Sequence, residues 1–368
     1  MNKFSIALTR LTAITYLAIW GPQVGHAHTH PDAEKDYVHP IPSFSVEQIK
    51  DRLDNLSTVI DIQYTSEVGR RIKEYTVSYR PSGERILGKV DLYFPLFEEE
   101  IAKRNLPDVL KFVAVVESHL DPTAESKSGA AGLWQFISST AKIKGLTIDK
   151  YMDERKDPVK STQAALDYLT DLHDQFGDWT LAIAAYNCGP GGVRKAIRRS
   201  GSREYWKLRY HLPQETQKYV PRIIAAMYLM QYYHDHNLEP KQVSEDIKYV
   251  KIIADGRGHK FSKLSEALDV DYRVIKKMNT QFTTDQFPQN LGNLSLKIPM
   301  DKYERYLEVY DYPAFEALVS ARREVEEELI ELRAIAREIM LPLEPIHRII
   351  YDRIRPKRVK KVYRTSFS

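Results

Sequence analysis

The chain has 368 residues, of which 43% are hydrophobic and 28% are charged, a balance that is typical of a folded protein and excludes a fibrous or largely disordered one. This length predicts one sizeable domain and a smaller second unit. The net charge of +4 is too small to predict that the chain as a whole binds nucleic acid. The single cysteine, Cys188, excludes an intramolecular disulfide, and its apolar helical setting favours an inert thiol over a nucleophile.

Residues 1–27 have the pattern of a secretory signal. Positive charge at Lys3 and Arg10 precedes an apolar run over 11–20, and small residues stand three and one positions before a cleavage site after Ala27. An uncleaved membrane anchor is the alternative, but the run is shorter than the ~20 apolar residues that a bilayer requires. We therefore expect a protein exported to the periplasm or cell envelope.

The rest of the chain divides by composition into four parts. Residues 28–45 lack apolar periodicity and predict an irregular lead-in. Helix-length segments joined by Gly, Pro and Asp punctuation predict a helical domain over 46–236. A β-branched run, two helical stretches and a closing strand predict a small α/β unit over 246–302. A charged helix and a basic tail follow over 303–368, and the tail is suited either to anionic membrane or wall surfaces or to a solvated, disordered end.

Glu117 follows an apolar helical run, which places a carboxylate against the core or in a cleft. Burial raises the pKa of a carboxyl group because it disfavours the charged form, and a protonated carboxyl near neutral pH is what cleavage of a glycosidic bond needs. Taken alone, the pattern favours a glutamate at a helix end that faces solvent.

Three motifs in order change that interpretation. The first holds Glu117-Ser118 and Ser126 and ends in Gly-Ala-x-Gly-Leu-x-Gln, with Trp134 at the second variable place and Gln135 as the last residue. The others are Ala-Ala-Tyr186-Asn187 and Leu-Pro-x-Glu-Thr-x-x-Tyr219-Val-Pro. Together they resemble the signature of the lytic transglycosylases related to goose-type lysozyme, glycoside hydrolase family 23. The sequence of residues 93–95 and 153–155 resembles that of group D of the membrane-bound members.

The resemblance implies a mainly α fold with a lysozyme-like helical catalytic domain, in which Glu117 is the single catalytic acid and base. It implies no metal and no cofactor. The side chains expected to orient Glu117 and hold the sugar are Ser126, Gln135, Tyr186, Asn187 and Tyr219. The indole of Trp134 offers a flat apolar face to a sugar ring, and a simple core position is the alternative.

The implied substrate is the glycan strand of peptidoglycan, cut between N-acetylmuramic acid and N-acetylglucosamine at the β-1,4 bond. The muramyl 6-hydroxyl then closes on C1 to give a 1,6-anhydro end. A lysozyme that adds water at the same bond is one alternative, but the family pattern gives no second carboxylate a catalytic role. A wall-binding protein without catalysis is another, and it would normally have lost Glu117. The oligomeric state is not predicted.

The small unit resembles one degenerate LysM peptidoglycan-binding repeat over 260–300, although clear repeats are absent. Since residues 246–368 contain none of the three motifs, we expect this part to retain the chain on the wall and to be dispensable for cutting soluble glycan.

Overall fold

The computed structural model describes residues 40–241, 249–255, 260–285 and 293–338. The predicted signal, most of the lead-in and the basic tail after residue 338 lie outside these residues. Helices dominate the first range, which confirms the prediction of a mainly α fold. They are α1 (Val46–Asp54), α2 (Ser66–Lys73), α3 (Arg80–Leu87), α4 (Val90–Lys103), α5 (Lys111–Ser118), α6 (Ser138–Ile143), α7 (Pro158–Phe176), α8 (Trp179–Ser200), α9 (Tyr205–Leu208), α10 (Gln214–Gln217) and α11 (Tyr219–Tyr232).

The two longest of these helices begin and end where the sequence places capping residues. Asp157 precedes α7, and its carboxylate accepts hydrogen bonds from two backbone N–H groups of the first turn. Gly177 ends α7 with a φ of 66°, a left-handed conformation that glycine adopts without strain. Asp178 caps α8 by accepting a bond of 2.7 Å from the N–H of Leu181.

Helix α8 contains a break that the sequence analysis did not predict. The backbone of Gly189 has a φ of 75° and a ψ of 156°, and Pro190 follows it inside the helix. Proline removes one helical hydrogen bond, and the conformation of Gly189 is not helical. As a result, Tyr186 and Asn187 lie in the last turn of the first half of α8.

Helix α5 lies in the core. Five of its residues, Lys111 to Val115, are buried, and four of these are apolar, which is typical of a helix in an interior. Helix α11 packs against α2, α5 and α8, while α7 packs against α4 and α8. This core therefore surrounds the helix that carries Glu117 close to its end.

The predicted α/β unit is present as β1 (Tyr249–Asp255), α12 (Phe261–Leu268), α13 (Tyr272–Met278) and β2 (Asn293–Pro299), and the two strands form one sheet. Of the described residues, those over 40–265 and 270–298 form one compact unit. The boundary expected at 246 and the LysM likeness stay predictions.

The second compact unit includes residues 266–269 and the described chain from 299 onward. It contains α14 (Tyr303–Tyr310) and α15 (Tyr312–Glu338), which pack against each other. The charged helix that the sequence predicts is thus confirmed. In the described ranges, none of the helices is both long and apolar enough to cross a bilayer.

Candidate active site

Glu117 is the next-to-last residue of α5. The helix ends directly after Ser118 because His119 and Leu120 both adopt left-handed backbone conformations, with φ of 53° and 58°. Such a conformation costs a bulky residue free energy, and here the side chain of Leu120 is fully buried. The chain therefore turns sharply next to the carboxylate.

Tyr219, at the start of α11, donates a hydrogen bond of 2.5 Å to Oε1 of Glu117. Tyr219 as a residue is only 1% exposed. The carboxyl group of Glu117 is surrounded by protein atoms, yet the residue keeps partial contact with solvent. The structure therefore brings together the first and third sequence motifs at one carboxylate.

The pKa of Glu117 is raised to about 7. Burial is the largest cause, and the negative charge of Glu215 acts in the same direction. The hydrogen bond from Tyr219 and the positive charge of Arg222 oppose this rise. Near neutral pH the group is then divided between its protonated and ionised forms, so it can both donate and accept a proton.

The effect of Glu215 on this pKa was not predictable from the sequence. The third motif contains the residue, but no local pattern showed that its exposed side chain interacts electrostatically with Glu117. A second carboxylate therefore lies within electrostatic reach of the candidate acid.

Residues 124–136, here called the catalytic loop, follow the turn after α5. Ala131 pairs with both Glu125 and Phe136 in short antiparallel bridges. The hydroxyl of Ser126 accepts a bond of 2.9 Å from the N–H of Ala130. The side-chain amide of Gln135 donates to the carbonyls of Ala124 and Gly132, at 3.0 and 2.9 Å. Ser126 and Gln135 therefore shape this loop from within.

Two hydroxyl groups tie the catalytic loop to the helices around Glu117. Ser118 donates a bond of 2.9 Å to the carbonyl of Leu133, and Tyr186 donates one of 2.7 Å to the carbonyl of Trp134. Burial raises the pKa of Tyr186, and so does the charge of Glu117, which shows that these two residues are electrostatic neighbours.

The interpretation of Trp134 as a sugar platform is wrong. Its indole is 0% exposed, contacts Phe97 edge to face, and donates from Nε1 to the hydroxyl of Thr162 at 2.9 Å. A ring enclosed on all sides cannot stack on a sugar, so the core position that the sequence left open is the one observed.

Asn187 joins the second and third motifs, because its Oδ1 accepts a bond of 2.7 Å from the hydroxyl of Thr216. In the described part of the chain, the side-chain hydrogen bonds of Ser126, Gln135 and Asn187 hold protein groups other than Glu117. Burial raises the pKa of the Cys188 thiol, which makes it a weak nucleophile. No group of three metal-ligating side chains occurs within the described ranges.

Residues 95–209 match the family model described as the transglycosylase SLT domain. This part of the chain is therefore similar to the transglycosylase SLT domain. It is 46% identical over 131 residues to membrane-bound lytic murein transglycosylase D of Escherichia coli K12, an alignment covering 34% of this chain and 28% of that one. A putative tributyltin chloride resistance protein of an Alteromonas species is 40% identical over 110 residues, covering 30% of this chain and 53% of that protein.

The chain therefore spans between about a quarter and a half of the length of these two relatives. Among solved structures, the 70 kDa soluble lytic transglycosylase of Escherichia coli is 28% identical, with a TM-score of 0.33 over 41% of this chain and 26% of that one. The SLT match covers Glu117, the catalytic loop and the second motif, whereas Tyr219 lies beyond its end.

Proposed function

We propose that this chain is a lytic transglycosylase that cuts the β-1,4 bond between N-acetylmuramic acid and N-acetylglucosamine in peptidoglycan. The observation that carries the proposal is the pairing of Glu117 with Tyr219 inside the core of a chain with an SLT domain. A pKa of about 7 gives one carboxyl group access to both of the protonation states that this reaction uses in turn.

In the first step, Glu117 donates its proton to the oxygen that leaves C1 of the muramyl residue. The bond between C1 and that oxygen breaks, and positive charge develops at C1. In the second step, the Glu117 carboxylate removes the proton from the muramyl 6-hydroxyl, whose oxygen closes on C1. An internal hydroxyl has a large effective concentration at C1, so no water is consumed and Glu117 regains its proton.

Tyr219 stabilises the Glu117 carboxylate between the two steps, because its hydroxyl donates to the charged oxygen. Four polar side chains have a second proposed role, which is to hold the sugar. They are those of Ser126, Gln135, Tyr186 and Asn187. Their present hydrogen bonds support at least their role in holding the loop and helices beside Glu117.

The proposed substrate lies in the bacterial cell envelope, and the export signal predicted over residues 1–27 supports the same location for the protein. One relative supports it as well, since its name is membrane-bound lytic murein transglycosylase D. Attachment to membrane or wall through the basic tail is part of the same proposal.

A hydrolytic lysozyme is the rival function, and the proximity of Glu215 is the observation that favours it. Hydrolysis usually recruits a second carboxylate to activate water or to form a covalent intermediate. If Glu215 had that role, Glu215→Gln would abolish cutting as thoroughly as Glu117→Gln. If the protein is a transglycosylase, Glu215→Gln keeps cutting. The fall of its activity at high pH shifts to lower pH, because a charge that raises the pKa of Glu117 is gone.

Mass analysis of the products decides between the two. Muropeptides released from purified sacculi by a transglycosylase carry 1,6-anhydromuramyl ends, which are lighter by one water than lysozyme products and cannot be reduced by borohydride. Reducing ends as the main product would overturn the transglycosylase proposal and leave Glu117 as the acid of a hydrolase.

A further inference from the structure

Arg155 is a buried cation outside the three motifs. Its side chain is 9% exposed and that of its partner, Asp153, is 7% exposed. The guanidinium binds the carboxylate of Asp153 through two nitrogens, with Nε to Oδ1 at 2.9 Å and Nη2 to Oδ2 at 2.7 Å. Such a two-point pair fixes the guanidinium plane and orients its remaining donors.

The remaining donor, Nη1, bonds to the catalytic loop at two places. It donates to the carbonyl of Gly129 at 2.7 Å and to the carbonyl of Phe136 at 3.1 Å. The backbones also touch, because a Cβ on Gly132 would stand 1.8 Å from the carbonyl oxygen of Arg155. The same loop accepts hydrogen bonds from Ser118 and Tyr186 beside Glu117, so its backbone connects Arg155 to the surroundings of the acid.

The α/β unit holds the other side of the Arg155 segment. The N–H of Asp153 donates to the carbonyl of Gln281 at 2.7 Å, and the N–H of Thr283 donates to the carbonyl of Tyr151 at 2.9 Å. Two hydroxyl groups add to this pairing. Thr280 donates to the carbonyl of Lys156 at 2.6 Å and Thr283 to that of Lys150 at 2.7 Å. Residues 280–283, here called the docking segment, therefore bond on both sides of Arg155.

The docking segment is itself held rigidly. Asn279, which precedes it, is fully buried and exchanges two hydrogen bonds with the backbone of Lys297 in β2, at 2.7 and 2.8 Å. Lys276 of α13 donates to the carbonyl of Phe282 at 3.0 Å. The segment thus offers a fixed edge to residues 150–156.

We propose that Arg155 is a positioning residue for the catalytic loop and that the docking segment holds Arg155 in place, so that the α/β unit sets the rate of bond cleavage. This inference rests on the proposed function. It revises the expectation that residues 246–368 are dispensable for cutting soluble glycan. A loop misplaced by a fraction of an ångström lowers the rate of the chemical step more than it weakens the binding of a long substrate.

The test removes the two docking hydroxyls in the full chain by Thr280→Val with Thr283→Val, which keeps the side-chain shape. We expect kcat, counted as glycosidic bonds cut in soluble peptidoglycan strands, to fall about 5-fold or more while KM stays within about 2-fold. Serine at both positions should restore kcat because it restores both donors. Thr170→Val is the matched control, since that hydroxyl bonds to a carbonyl of its own helix.

Amide hydrogen exchange gives a second readout that does not depend on activity. In the double valine variant, the N–H groups of Ala131, Gly132 and Phe136 should exchange faster, and those of α7 and α11 should not change. Arg155→Lys keeps the charge and loses the two-point geometry, so it should show both effects more strongly. Unchanged loop exchange or an unchanged kcat in the double valine variant overturns the inference. Counting bonds rather than anhydro ends keeps this result independent of whether the product is the anhydro or the reducing form.

Discussion

The hydrogen bond between Tyr219 and Glu117 leads to a prediction about pH dependence. Tyr219→Phe removes one hydroxyl oxygen that lies 2.5 Å from Oε1 of Glu117. The ring is almost completely buried, so the phenyl group should remain in the same place. The carboxyl group then loses a donor that stabilises its ionised form, and its pKa must rise.

The size of this rise follows from the strength of the bond. A hydrogen bond to a charged group contributes about 1.5–3 kcal/mol, and one pKa unit corresponds to about 1.4 kcal/mol. The pKa of Glu117 should therefore rise from about 7 by roughly one to two units in the variant. The first chemical step needs the protonated acid, so kcat/KM of the wild type should fall as the pH rises through about 7. In the variant this falling limb should lie one to two pH units higher, by the same relation.

The assay is the initial rate of cleavage of soluble peptidoglycan strands between about pH 5 and 10. This range covers the falling limb of the wild type and that of the variant. Tyr228→Phe is the matched control, because Tyr228 is in the same helix and its hydroxyl bonds to Arg52 and His236. In Tyr228→Phe, the fall of kcat/KM with rising pH should stay at the wild-type pH. A limb in Tyr219→Phe that does not move, or that moves to lower pH while the protein is folded, refutes this account of the acid.

Three further predictions concern Glu117 and one buried histidine. Glu117→Gln should lower turnover by roughly 10²-fold or more without loss of helicity by circular dichroism, and Cys188→Ser is its nearly silent control. The same Glu117 variant should be more stable than the wild type above pH 7 by up to about 3 kcal/mol in chemical denaturation. The reason is that the folded wild type resists ionisation between its ordinary pKa of 4.5 and about 7, so its stability falls as the pH rises through that window. His236 is 3% exposed, and burial lowers its pKa from 6.5 to about 4. The contribution of His236 to the free energy of unfolding should thus be fully present above pH 6.5. It should be lost as the pH drops toward 4, by at most about 3 kcal/mol. In thermal melts between pH 6.5 and 4, the melting temperature of His236→Gln should depend less on pH than that of the wild type. An equal dependence on pH would contradict the assignment of this loss of stability to His236.

The helix ends were predictable because their signals are local. An aspartate before a proline and a glycine before an aspartate mark the ends of α7 within a few residues of sequence, and the structure has both caps. The two strands and two helices of the α/β unit followed from composition in the same way. These elements depend on neighbours in the chain, which a single sequence displays.

The candidate site was predictable only in part, because many of its contacts join distant residues. Motif resemblance placed Glu117 and Tyr219 in one site, and their 2.5 Å bond agrees with that. Residues 153–155 shared in the resemblance, but nothing in the sequence indicated the partners of Arg155, since its loop partners lie 26 and 19 residues away and the docking segment more than 120 residues away. The burial of Trp134 was likewise not predictable, because an indole at a variable place of a motif can pack in the core or stack on a sugar.

The direction of α5 has a consequence for the choice of acid. Peptide dipoles in a helix sum to a partial negative charge at its C-terminal end, which is the end where Glu117 lies. That field disfavours a carboxylate by about 0.3–1 kcal/mol, and so adds to the tendency of the group to hold its proton. A glutamate at the first turn of the same helix would meet the opposite field and ionise more readily. The polarity of a helix of 8 residues thus favours a proton donor at this position over a permanent anion.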